Sequence, residues 1–430
     1  MIDIECIYKI FTRHPAIVTD SRKIIPGCIF FALKGENFNG NIFAQSALDA
    51  GAAYAVVDDA GYATNDRCLL TDNVLQTLQQ LATFHRMQFE IPVIAITGTN
   101  GKTTSKELIS NVLKQKYALI ATAGNLNNHI GVPLTLLSIS KKTEIAVVEM
   151  GANHPGEIEF LCHLAKPTYG LITNIGKAHL EGFGSFDGVI ATKTELYRFL
   201  CQNNGKAFVN SDNLLLMQNL NGVQTIEYGK NSLSSYSVKT IENNPFVKIM
   251  VNTGEKNYNI STHLIGNYNS ENIQAAIAVG TYFGVSFSAI KNTIENYRPS
   301  NNRSQMLQTA KNTLVLDMYN ANPTSMSAAI DNFSTLQFAR KMLILGDMLE
   351  LGTESEKEHQ TIIKEIENKG LIKVILIGSQ FCKVNTNTSF HCFADVAQAK
   401  KFIQQQNIEN TCLLIKGSRG IHLEDITDVL

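Results

Sequence analysis

The sequence has no excess of either charge, because 37 lysines and arginines stand against 38 aspartates and glutamates, a formal net charge of −1. A protein that coats nucleic acid needs a basic surface, so this balance argues against a nucleic-acid partner. The eight cysteines are scattered, and no two of them form a Cys-x-x-Cys pair. The sequence therefore supports neither a disulfide framework nor a cysteine zinc site, and a reducing cytoplasm fits it best.

Long hydrophobic runs are missing as well. No apolar stretch approaches the roughly 18–20 residues that a membrane-spanning helix needs. The first residues, Met1 to Glu5, contain no basic segment and are not followed by an apolar one. We therefore expect neither a membrane span nor a signal peptide, and we predict a cytoplasmic protein.

What the chain does have is enough apolar residues to bury large cores. Hydrophobic residues make up 44% of it and charged residues 17%, which argues against disorder. At roughly 150 residues per domain, this length predicts about three domains.

Short apolar runs alternate with helical periodicity along most of the chain. Uninterrupted runs of this kind are typical of strands buried on both faces of a parallel sheet. The predicted strands cover residues 28–33, 53–57, 93–96, 145–148, 169–172, 313–316, 341–345, 374–377 and 412–415, with shorter strands and turns over 205–262. The predicted helices cover residues 43–50, 75–89, 102–114 and 270–283.

These elements predict an α/β protein of three domains. A small α/β domain covers residues 1–84. A central domain with a doubly wound, mostly parallel sheet covers 85–298. A Rossmann-like α/β domain covers 299–430, and its first four residues, 299–302, are a predicted linker.

The strongest local signal is a glycine-containing loop at residues 97–104, Thr-Gly-Thr-Asn-Gly-Lys-Thr-Thr, between a predicted strand and a predicted helix. Such a loop turns backbone N–H groups toward phosphate oxygens, and the helix N-terminus adds partial positive charge. Lys102 can reach terminal phosphates, and the Thr103 hydroxyl can ligate magnesium. The loop departs from the common G-x-x-x-x-G-K-[ST] pattern, because Ile96 stands where the first glycine would be. The alternative is an ordinary strand–helix turn.

Two more polar positions follow predicted strands and should reach the same edge of the sheet. Glu149 ends one strand and is placed to hold magnesium, although a turn or capping carboxylate is the alternative. His179 follows the next strand. A lone histidine is more often structural, but its position beside Glu149 favours function. Lys193 and Glu195, taken alone, indicate a solvated helix surface.

Together these segments resemble the Mur ligase family, the ATP-dependent amide-forming ligases of peptidoglycan precursor synthesis. The matching segments are residues 98–104, Glu149-Met150-Gly151-Ala152, Asn174-Ile175-Gly176 with Ala178-His179, and Lys193 with Glu195.

Other segments resemble one branch of that family, and the resemblance covers essentially the whole chain in order. They are Asp20-Ser21-Arg22 with Pro26-Gly27, the stretch 124–135, Tyr319-Asn320-Ala321-Asn322-Pro323, the stretch 345–352, and Lys416-Gly417-Ser418-Arg419. The most specific strings are Tyr-Asn-Ala-Asn-Pro and Gly-Asp-Met-Leu-Glu-Leu-Gly.

The resemblance implies an activity. The terminal carboxylate of a UDP-N-acetylmuramoyl-tripeptide attacks the γ-phosphate of ATP, and the amine of D-alanyl-D-alanine then attacks the acyl phosphate. It also implies ATP and Mg²⁺ as cofactors, a first domain for the UDP substrate, a central P-loop ATPase domain, a C-terminal ligase domain that closes on the ligands, and a monomer. The third residue of the tripeptide, diaminopimelate or lysine, stays open.

The resemblance further implies roles for single residues. The ATP-binding residues are Gly98, Thr99, Asn100, Gly101, Lys102, Thr103, Thr104, Asn269, Asn272, Arg303 and Asp317. The magnesium ligands are Thr103, Glu149, His179 and Lys193. The catalytic residues are Lys102, His179, Lys193 and Arg303. The substrate-binding residues are Asp20, Ser21, Arg22, Asn127, Asn128, Tyr319, Asn320 and Asn322. Related ligases carry a modified lysine in this motif, so we expect a carbamate on Lys193; for Asp317 the alternative is a strand-end cap.

The sequence departs from the family at a few positions. Tyr268 replaces a histidine, Leu316 stands where a second acidic residue often precedes Asp317, and Asn39-Gly40-Asn41 stands where Asp-Gly-His is common. These departures concern single contacts and leave the chemistry unchanged.

Two other functions are compatible with the loop. A folylpolyglutamate-synthetase-like ligase shares the central ATPase layout, but the extra N-terminal domain with Asp20-Ser21-Arg22 argues against it. A non-catalytic nucleotide-binding protein would not need Lys102, Glu149, His179 and Lys193 to be intact.

Overall fold

Three α/β units follow one another along the chain in the computed structural model, which describes residues 2–229, 237–254 and 256–430. Within those residues, no helix combines the length and the apolar character that crossing a membrane would require. The predicted fold class, α/β with mostly parallel sheets, is confirmed.

The first unit is built on a small parallel sheet. Its elements are α1 (Ile4–Arg13), β1 (Ile17–Val18), β2 (Ile29–Phe31), β3 (Lys34–Gly35), β4 (Phe38–Asn39), α2 (Ala44–Asp49), β5 (Tyr54–Val57), β6 (Cys68–Leu70) and α3 (Val74–Arg86). The sheet order is β1-β2-β5-β6, all parallel, and β3 and β4 form a separate hairpin. Helix α3, capped by Asn73, starts one residue earlier than predicted and ends three residues earlier.

The central unit is built around a six-stranded sheet. Its elements are β7 (Val93–Thr97), α4 (Lys102–Leu113), β8 (Leu119–Ala121), α5 (Gly131–Leu137), β9 (Ile145–Glu149), α6 (Glu157–Ala165), β10 (Tyr169–Ile172), α7 (Leu180–Phe183), α8 (Phe186–Lys193), α9 (Glu195–Gln202), β11 (Lys206–Asn210), α10 (Leu214–Met217), β12 (Gln224–Tyr228), β13 (Ser237–Asn243), β14 (Phe246–Asn252), β15 (Asn257–Ile265), α11 (Asn269–Tyr282) and α12 (Phe287–Asn296). The order β12-β11-β10-β7-β9-β8 is parallel throughout, and β13-β14-β15 form a separate antiparallel sheet.

Strand β7 shows why its run of apolar residues is uninterrupted. Val93 and Ala95 pack into one core, with α5, α6 and α9, whereas Ile94 and Ile96 pack into another, with α4, α11 and α12. Both faces of the strand are therefore covered, as the predicted doubly wound sheet requires. Because β7 lies between β9 and β10, the carboxyl ends of these three strands meet at one edge.

The third unit has its own six-stranded sheet. Its elements are β16 (Gln305–Gln308), β17 (Thr313–Asp317), α13 (Pro323–Thr335), β18 (Lys341–Gly346), α14 (Ser355–Asn368), β19 (Val374–Ile377), α15 (Ser379–Val384), β20 (His391–Phe393), α16 (Val396–Gln405) and β21 (Cys412–Lys416). The order is β16-β17-β21-β18-β19-β20, and only the edge strand β16 runs antiparallel to its neighbour.

Helix α3 joins the first two units. Its Leu78 and Leu81 belong to the same apolar core as Phe11 of α1, Leu136 of α5 and Leu161 of α6. The predicted boundary at residues 84 and 85 falls in the last turn of this helix. A single core thus continues from the first unit into the central one.

Candidate functional site

A cavity of about 1130 Å³ lies where the carboxyl ends of the central strands face the third unit. Most of the predicted site residues line it. They are Thr99, Asn100, Gly101, Lys102, Thr104, Asn127, Asn128, Glu149, His179, Asn269, Asn272, Arg303, Asp317, Tyr319, Asn320 and Asn322. The cavity is large enough for a nucleotide together with a second ligand.

The glycine loop connects β7 to α4 in a conformation that needs glycine. Gly98 has a φ of +139° and Gly101, the N-cap of α4, has a φ of +79°. A Cβ at Gly101 would lie 2.5 Å from Oδ1 of Asn272, and one at Gly98 would lie 2.0 Å from Oγ1 of Thr173. The loop can therefore pass close to its neighbours and leave the N-terminus of α4 open toward the cavity.

The segment after β10 holds the loop from the other side. The backbone N–H of Thr99 donates to the Asn174 carbonyl at 2.9 Å, and that of Asn100 donates to the Asn174 side chain at 3.0 Å. The Thr173 hydroxyl donates to the Asn100 carbonyl at 2.6 Å. The loop is thus fixed in shape by protein contacts alone.

Lys102 lies deep in the cavity. Its Nζ donates to the backbone carbonyls of Gly98 at 2.7 Å and Thr99 at 3.0 Å. Burial lowers the pKa of Lys102 to about 8, Glu149 opposes that shift and Arg303 adds to it. An ammonium in this position can turn from the carbonyls to the oxygens of a bound phosphate.

Glu149 is almost completely buried, with 1% of its surface exposed, at the end of β9. Its Oε1 accepts from the Thr103 hydroxyl at 3.1 Å and from the Asn127 amide at 2.9 Å. Its Oε2 has no hydrogen-bond partner among the described residues. A buried carboxylate oxygen that accepts no hydrogen bond, beside a hydroxyl and an open phosphate loop, is suited to bind magnesium.

His179 follows β10 and contacts the third unit. Its backbone φ is +49°, and its Nδ1 lies 2.5 Å from Oε2 of Glu350. The hydrogen bond from His179 lowers the pKa of the Glu350 carboxyl. In the described part of the chain, no three His, Cys, Asp or Glu side chains come together. A metal ion here would need hydroxyl and ligand oxygens to complete its coordination.

Lys193 ends α8 and is 2% exposed. Its Nζ lies 3.4 Å from the Ala152 carbonyl and 5.3 Å from the centre of the Phe183 ring, and no carboxylate of the described residues is within ion-pair distance. Burial, and then the charge of Lys102, lower the pKa of Lys193 to about 7.

Glu195 begins α9 and is buried too. Its carboxylate accepts from the backbone N–H groups of Gly156 at 2.8 Å and Glu159 at 2.9 Å, at the start of α6. The solvated-surface interpretation of Lys193 and Glu195 is therefore wrong. Periodicity along one helix could not reveal that α6 and α7 cover both residues.

The third unit supplies the opposite wall. The Arg303 guanidinium stacks 3.6 Å above the Tyr319 ring. Asp317, at the end of β17, pairs with Nζ of Lys416 at 2.6 Å. Asn322 caps α13, and its amide donates to the Asn100 side chain of the glycine loop at 2.9 Å. The wall thus touches the loop through one amide pair.

Residues on α11 close one end of the cavity. The Asn272 amide donates to Asn269 at 2.8 Å and accepts from the Ser105 hydroxyl at 2.9 Å. Tyr268 has its hydroxyl 2.7 Å from that of Ser304, in the connection to the third unit. This hydroxyl pair therefore links the two units.

Six predicted residues do not line the cavity. Gly98 and Thr103 belong to the glycine loop and the start of α4, and Lys193 ends α8. The other three lie in the first unit, where Asp20 caps a turn of 3₁₀ helix that contains Ser21 and Arg22. The Arg22 side chain is 87% exposed. Among the described residues it bonds to Asp20 alone, through Nε at 2.8 Å and Nη2 at 2.9 Å. This contact lowers the pKa of the Asp20 carboxyl to about 2. A ligand that reached both places would have to extend across the first unit.

Several further charged residues belong to the site although no role was predicted for them. Glu157 and Glu271 line the cavity. Lys416 lines the cavity, Glu350 contacts His179, and Lys106 lies behind Glu149. The motifs around Lys416 and Glu350 were visible in the sequence. For Lys106 the available signal was its spacing, one helical turn after Lys102.

Comparison with known proteins agrees with this geometry. Three family models match the chain: "Mur ligase family, catalytic domain" over residues 15–86, "Mur ligase middle domain" over 96–280 and "Mur ligase, glutamate ligase domain" over 302–419. A UDP-N-acetylmuramoyl-tripeptide–D-alanyl-D-alanine ligase from Bacillus subtilis is 35% identical over 95% of this chain and 92% of its own length.

Solved structures give the same result. MurF from Acinetobacter baumannii matches with a TM-score of 0.86 and 31% identity, over 96% of this chain and 92% of that one. MurF ligase from Thermotoga maritima, solved in complex with ADP, matches with a TM-score of 0.86 and 25% identity, over 100% of this chain and 98% of that one.

Proposed function

The chain belongs to the Mur ligase family, and we propose that it joins D-alanyl-D-alanine to the terminal carboxylate of UDP-N-acetylmuramoyl-tripeptide, with ATP, in peptidoglycan precursor synthesis. The observation that carries the proposal is the near-complete match to a ligase of that name, at 35% identity over 95% of the chain. The cavity supports it, because phosphate-loop, carboxylate and guanidinium groups face one another there.

The chemistry needs two steps because a carboxylate is a poor electrophile. A carboxylate oxygen of the tripeptide attacks the γ-phosphorus of ATP, and ADP leaves. The dipeptide amine then attacks the acyl carbon of the acyl phosphate, phosphate leaves, and the nitrogen loses a proton. Both reactants of the first step are anionic, so the site must supply positive charge.

We assign the phosphate end of ATP to the glycine loop. Residues 98–104 offer backbone N–H groups at the start of α4, and Lys102 reaches the β- and γ-phosphates. Arg303 approaches the γ-phosphate from the opposite wall. These two cations stabilise the charge that develops during transfer.

The nucleoside end of ATP belongs to the α11 side of the cavity. Asn269 and Asn272 are already joined to each other by a hydrogen bond, so we propose that they contact adenine as a fixed pair. Asp317 is assigned to the ribose, next to its partner Lys416.

The residues present fit magnesium. Glu149 and Thr103 would hold one ion, and His179 with a modified Lys193 would hold a second one near the acceptor carboxylate. Oε2 of Glu149, which accepts no hydrogen bond from the described residues, supports the first site. Bound magnesium supplies charge neutralisation between the phosphates and the attacking carboxylate.

We further propose that Lys193 carries a carbamate. An ammonium would repel magnesium, whereas a carbamate, formed from CO₂ and the neutral amine with release of a proton, provides oxygen ligands. Burial without an ion-pair partner among the described residues, together with the charge of Lys102, favours the neutral amine and outweighs the opposite effect of Glu157 and Glu195. The buried position at the end of α8 supports this assignment.

The acceptor substrates extend from the cavity in two directions. Asn127 and Asn128 are assigned to the path of the tripeptide, and Tyr319, Asn320 and Asn322 to the dipeptide or ATP. Asp20, Ser21 and Arg22 are assigned to the uridine diphosphate end, where the exposed Arg22 guanidinium could exchange Asp20 for a phosphate. We also propose a monomer that acts in the cytoplasm.

The test is phosphate release from ATP with different acceptors. We expect turnover with UDP-N-acetylmuramoyl-tripeptide plus D-alanyl-D-alanine, measured in parallel with the diaminopimelate and lysine forms of the tripeptide. Folate plus glutamate should give no turnover; turnover there and not with the tripeptide would favour the folylpolyglutamate-synthetase-like alternative. ATP binding without turnover on any acceptor would favour a non-catalytic nucleotide-binding protein.

A further inference from the structure

We propose that Lys106 is a positioning residue: it is a built-in counter-ion of Glu149 that stabilises the metal-free site and sets its affinity for magnesium. The inference rests on the proposed function, in which Glu149 is a magnesium ligand. Lys106 lies on α4, one turn after Lys102, and only 4% of it is exposed. Its Nζ is 3.3 Å from Oε2 of Glu149 and donates to the Gly124 carbonyl at 3.1 Å.

Lys106 acts through Glu149, because its Nζ contacts that carboxylate and not the cavity. It is absent from the lining of the cavity, whereas Lys102 and Glu149 both line it. Lys102 and Lys193 hold backbone carbonyls instead of the carboxylate. Within the described residues, Lys106 is therefore the cation in ion-pair contact with Glu149.

The two oxygens of Glu149 are treated differently by their neighbours. Oε1 receives hydrogen bonds from Thr103 and Asn127. Oε2 faces the Lys106 ammonium at ion-pair distance without a hydrogen bond of normal geometry. The carboxylate is thus held in one orientation and neutralised in charge, and Oε2 still has capacity for a second cation.

A buried carboxylate without a partner is strongly unfavourable, and removing one member of a buried ion pair destabilises a protein far more than losing a surface pair. Magnesium can take over the same role when it binds beside Glu149. Lys106 therefore stabilises the empty site and repels the incoming ion. Thermodynamic linkage then predicts that removing Lys106 lowers the stability of the metal-free protein and raises its affinity for magnesium.

The experiment is thermal unfolding of the full chain with ADP, either in EDTA or with Mg²⁺. Lys106→Met should melt roughly 5–10 °C below the wild type in EDTA, from the typical cost of a broken buried pair. Mg²⁺ should raise its melting temperature by more than it raises that of the wild type. Lys114→Met, an exposed lysine at the end of the same helix, should match the wild type in both conditions.

A double-mutant cycle shows whether the effect passes through Glu149. Glu149→Gln alone leaves Lys106 buried without its partner and should also melt early. The double variant, Lys106→Met with Glu149→Gln, removes both charges. Its melting temperature should recover at least half of the decrease seen in Lys106→Met. The proposal is wrong if the decreases in melting temperature of the two single variants add in the double variant. It is also wrong if Mg²⁺ raises the melting temperature of Lys106→Met no more than that of the wild type.

The magnesium dependence of ATP turnover provides a second readout. The Mg²⁺ concentration for half-maximal phosphate release should fall several-fold in Lys106→Met, whereas a purely structural lysine would leave it unchanged. The melting experiment needs no acceptor substrate. It therefore stays informative if the assigned acceptor proves wrong, and an inactive protein with the predicted melting shifts would refute the proposed function alone.

Discussion

The two walls of the cavity are built in different ways. On the central wall, Lys102 and Glu149 are held by groups of the central unit itself, and the buried Lys193 behind that wall is held in the same way. On the wall from the third unit, Arg303 and Tyr319 hold each other, and contact with the central unit is made through separate polar pairs. Those pairs include Asn100 with Asn322, Lys177 with Glu358, Lys177 with Thr324, His179 with Glu350 and Tyr268 with Ser304.

The same difference appears where the units meet. The first and central units share one apolar core through α3, whereas the cores of the third unit draw on the central unit at only a few apolar residues of the described chain, such as Phe246 and Ile265. An apolar core resists separation, but partly exposed polar pairs exchange for water at small cost. We therefore expect the central wall to be fixed and the third unit to open and close over it.

The largest effect should come from the fixed wall. Lys102→Ala removes a preorganised cation from the γ-phosphate, and the loss of one such contact typically lowers turnover by ~10²–10³. Phosphate release at saturating ATP measures it, with Lys114→Ala on the same helix as the control. Turnover near that of the wild type would contradict the phosphate-loop assignment.

Lys193 tests a different property of the same wall. Lys193→Ala should lose a magnesium ligand and lower turnover by at least ~10². Because the proposed ligand is a carbamate, added acetate should restore part of the activity by supplying a carboxylate in the emptied space.

Lys102→Ala serves as the matched control, since acetate cannot replace a cation there. Mass spectrometry of the native protein provides an independent measurement, because a carbamate on Lys193 adds one CO₂. Full activity of Lys193→Ala without acetate would return Lys193 to a structural role in the α8–α9 turn.

The fixed wall is also the part that the sequence predicts well. Strand β7 is an uninterrupted apolar run because both of its faces are buried, and the glycine loop follows it directly. The strand order then brings Glu149 and Asn174 to the same edge. The local apolar pattern and the parallel topology were sufficient to predict that these residues meet at one edge of the sheet.

The remaining features depend on contacts between distant segments. Lys193 looks like a surface residue until α6 and α7 cover it. His179 and Glu350 come from different units, and no local periodicity relates them. Strand β8 has only three residues, all apolar and half-buried, and the antiparallel edge strand β16 has four, of which two are apolar. Segments this short show no periodicity that identifies a strand. These features arise from tertiary packing, which a single sequence does not express.

Arg303 tests the movable wall. Arg303→Ala should lower turnover by about 10-fold to 10²-fold, because the cation reaches ATP only when the third unit is closed. Binding of the UDP substrate to the first unit, measured by calorimetry, should stay nearly intact. The exposed Arg298, also before β16, provides a control as Arg298→Ala. Lost UDP-substrate binding with unchanged ATP turnover would contradict this assignment.

The smallest effect should come from a pair that joins the walls without lining the cavity. Lys177 is half-exposed and its Nζ lies 2.7 Å from Oε1 of the nearly buried Glu358, on α14. A partly exposed ion pair contributes up to ~1 kcal/mol, so Lys177→Met should lower kcat/KM by no more than about 5-fold. Lys357→Met, which breaks an exposed pair within the third unit, should have no effect.

The size and direction of this effect separate the two walls. If the pair stabilises only the closed arrangement, Lys177→Met should raise KM and leave the melting temperature of the central unit unchanged. Lys177→Met with Glu358→Gln should be no worse than Lys177→Met alone, because it removes the carboxylate that was left without its partner. High salt should reduce the difference in kcat/KM between Lys177→Met and the wild type, because salt screens the half-exposed ammonium of the wild type. A loss as large as that of Lys102→Ala would mean that the third unit is fixed to the central one and that the two walls do not differ in mobility.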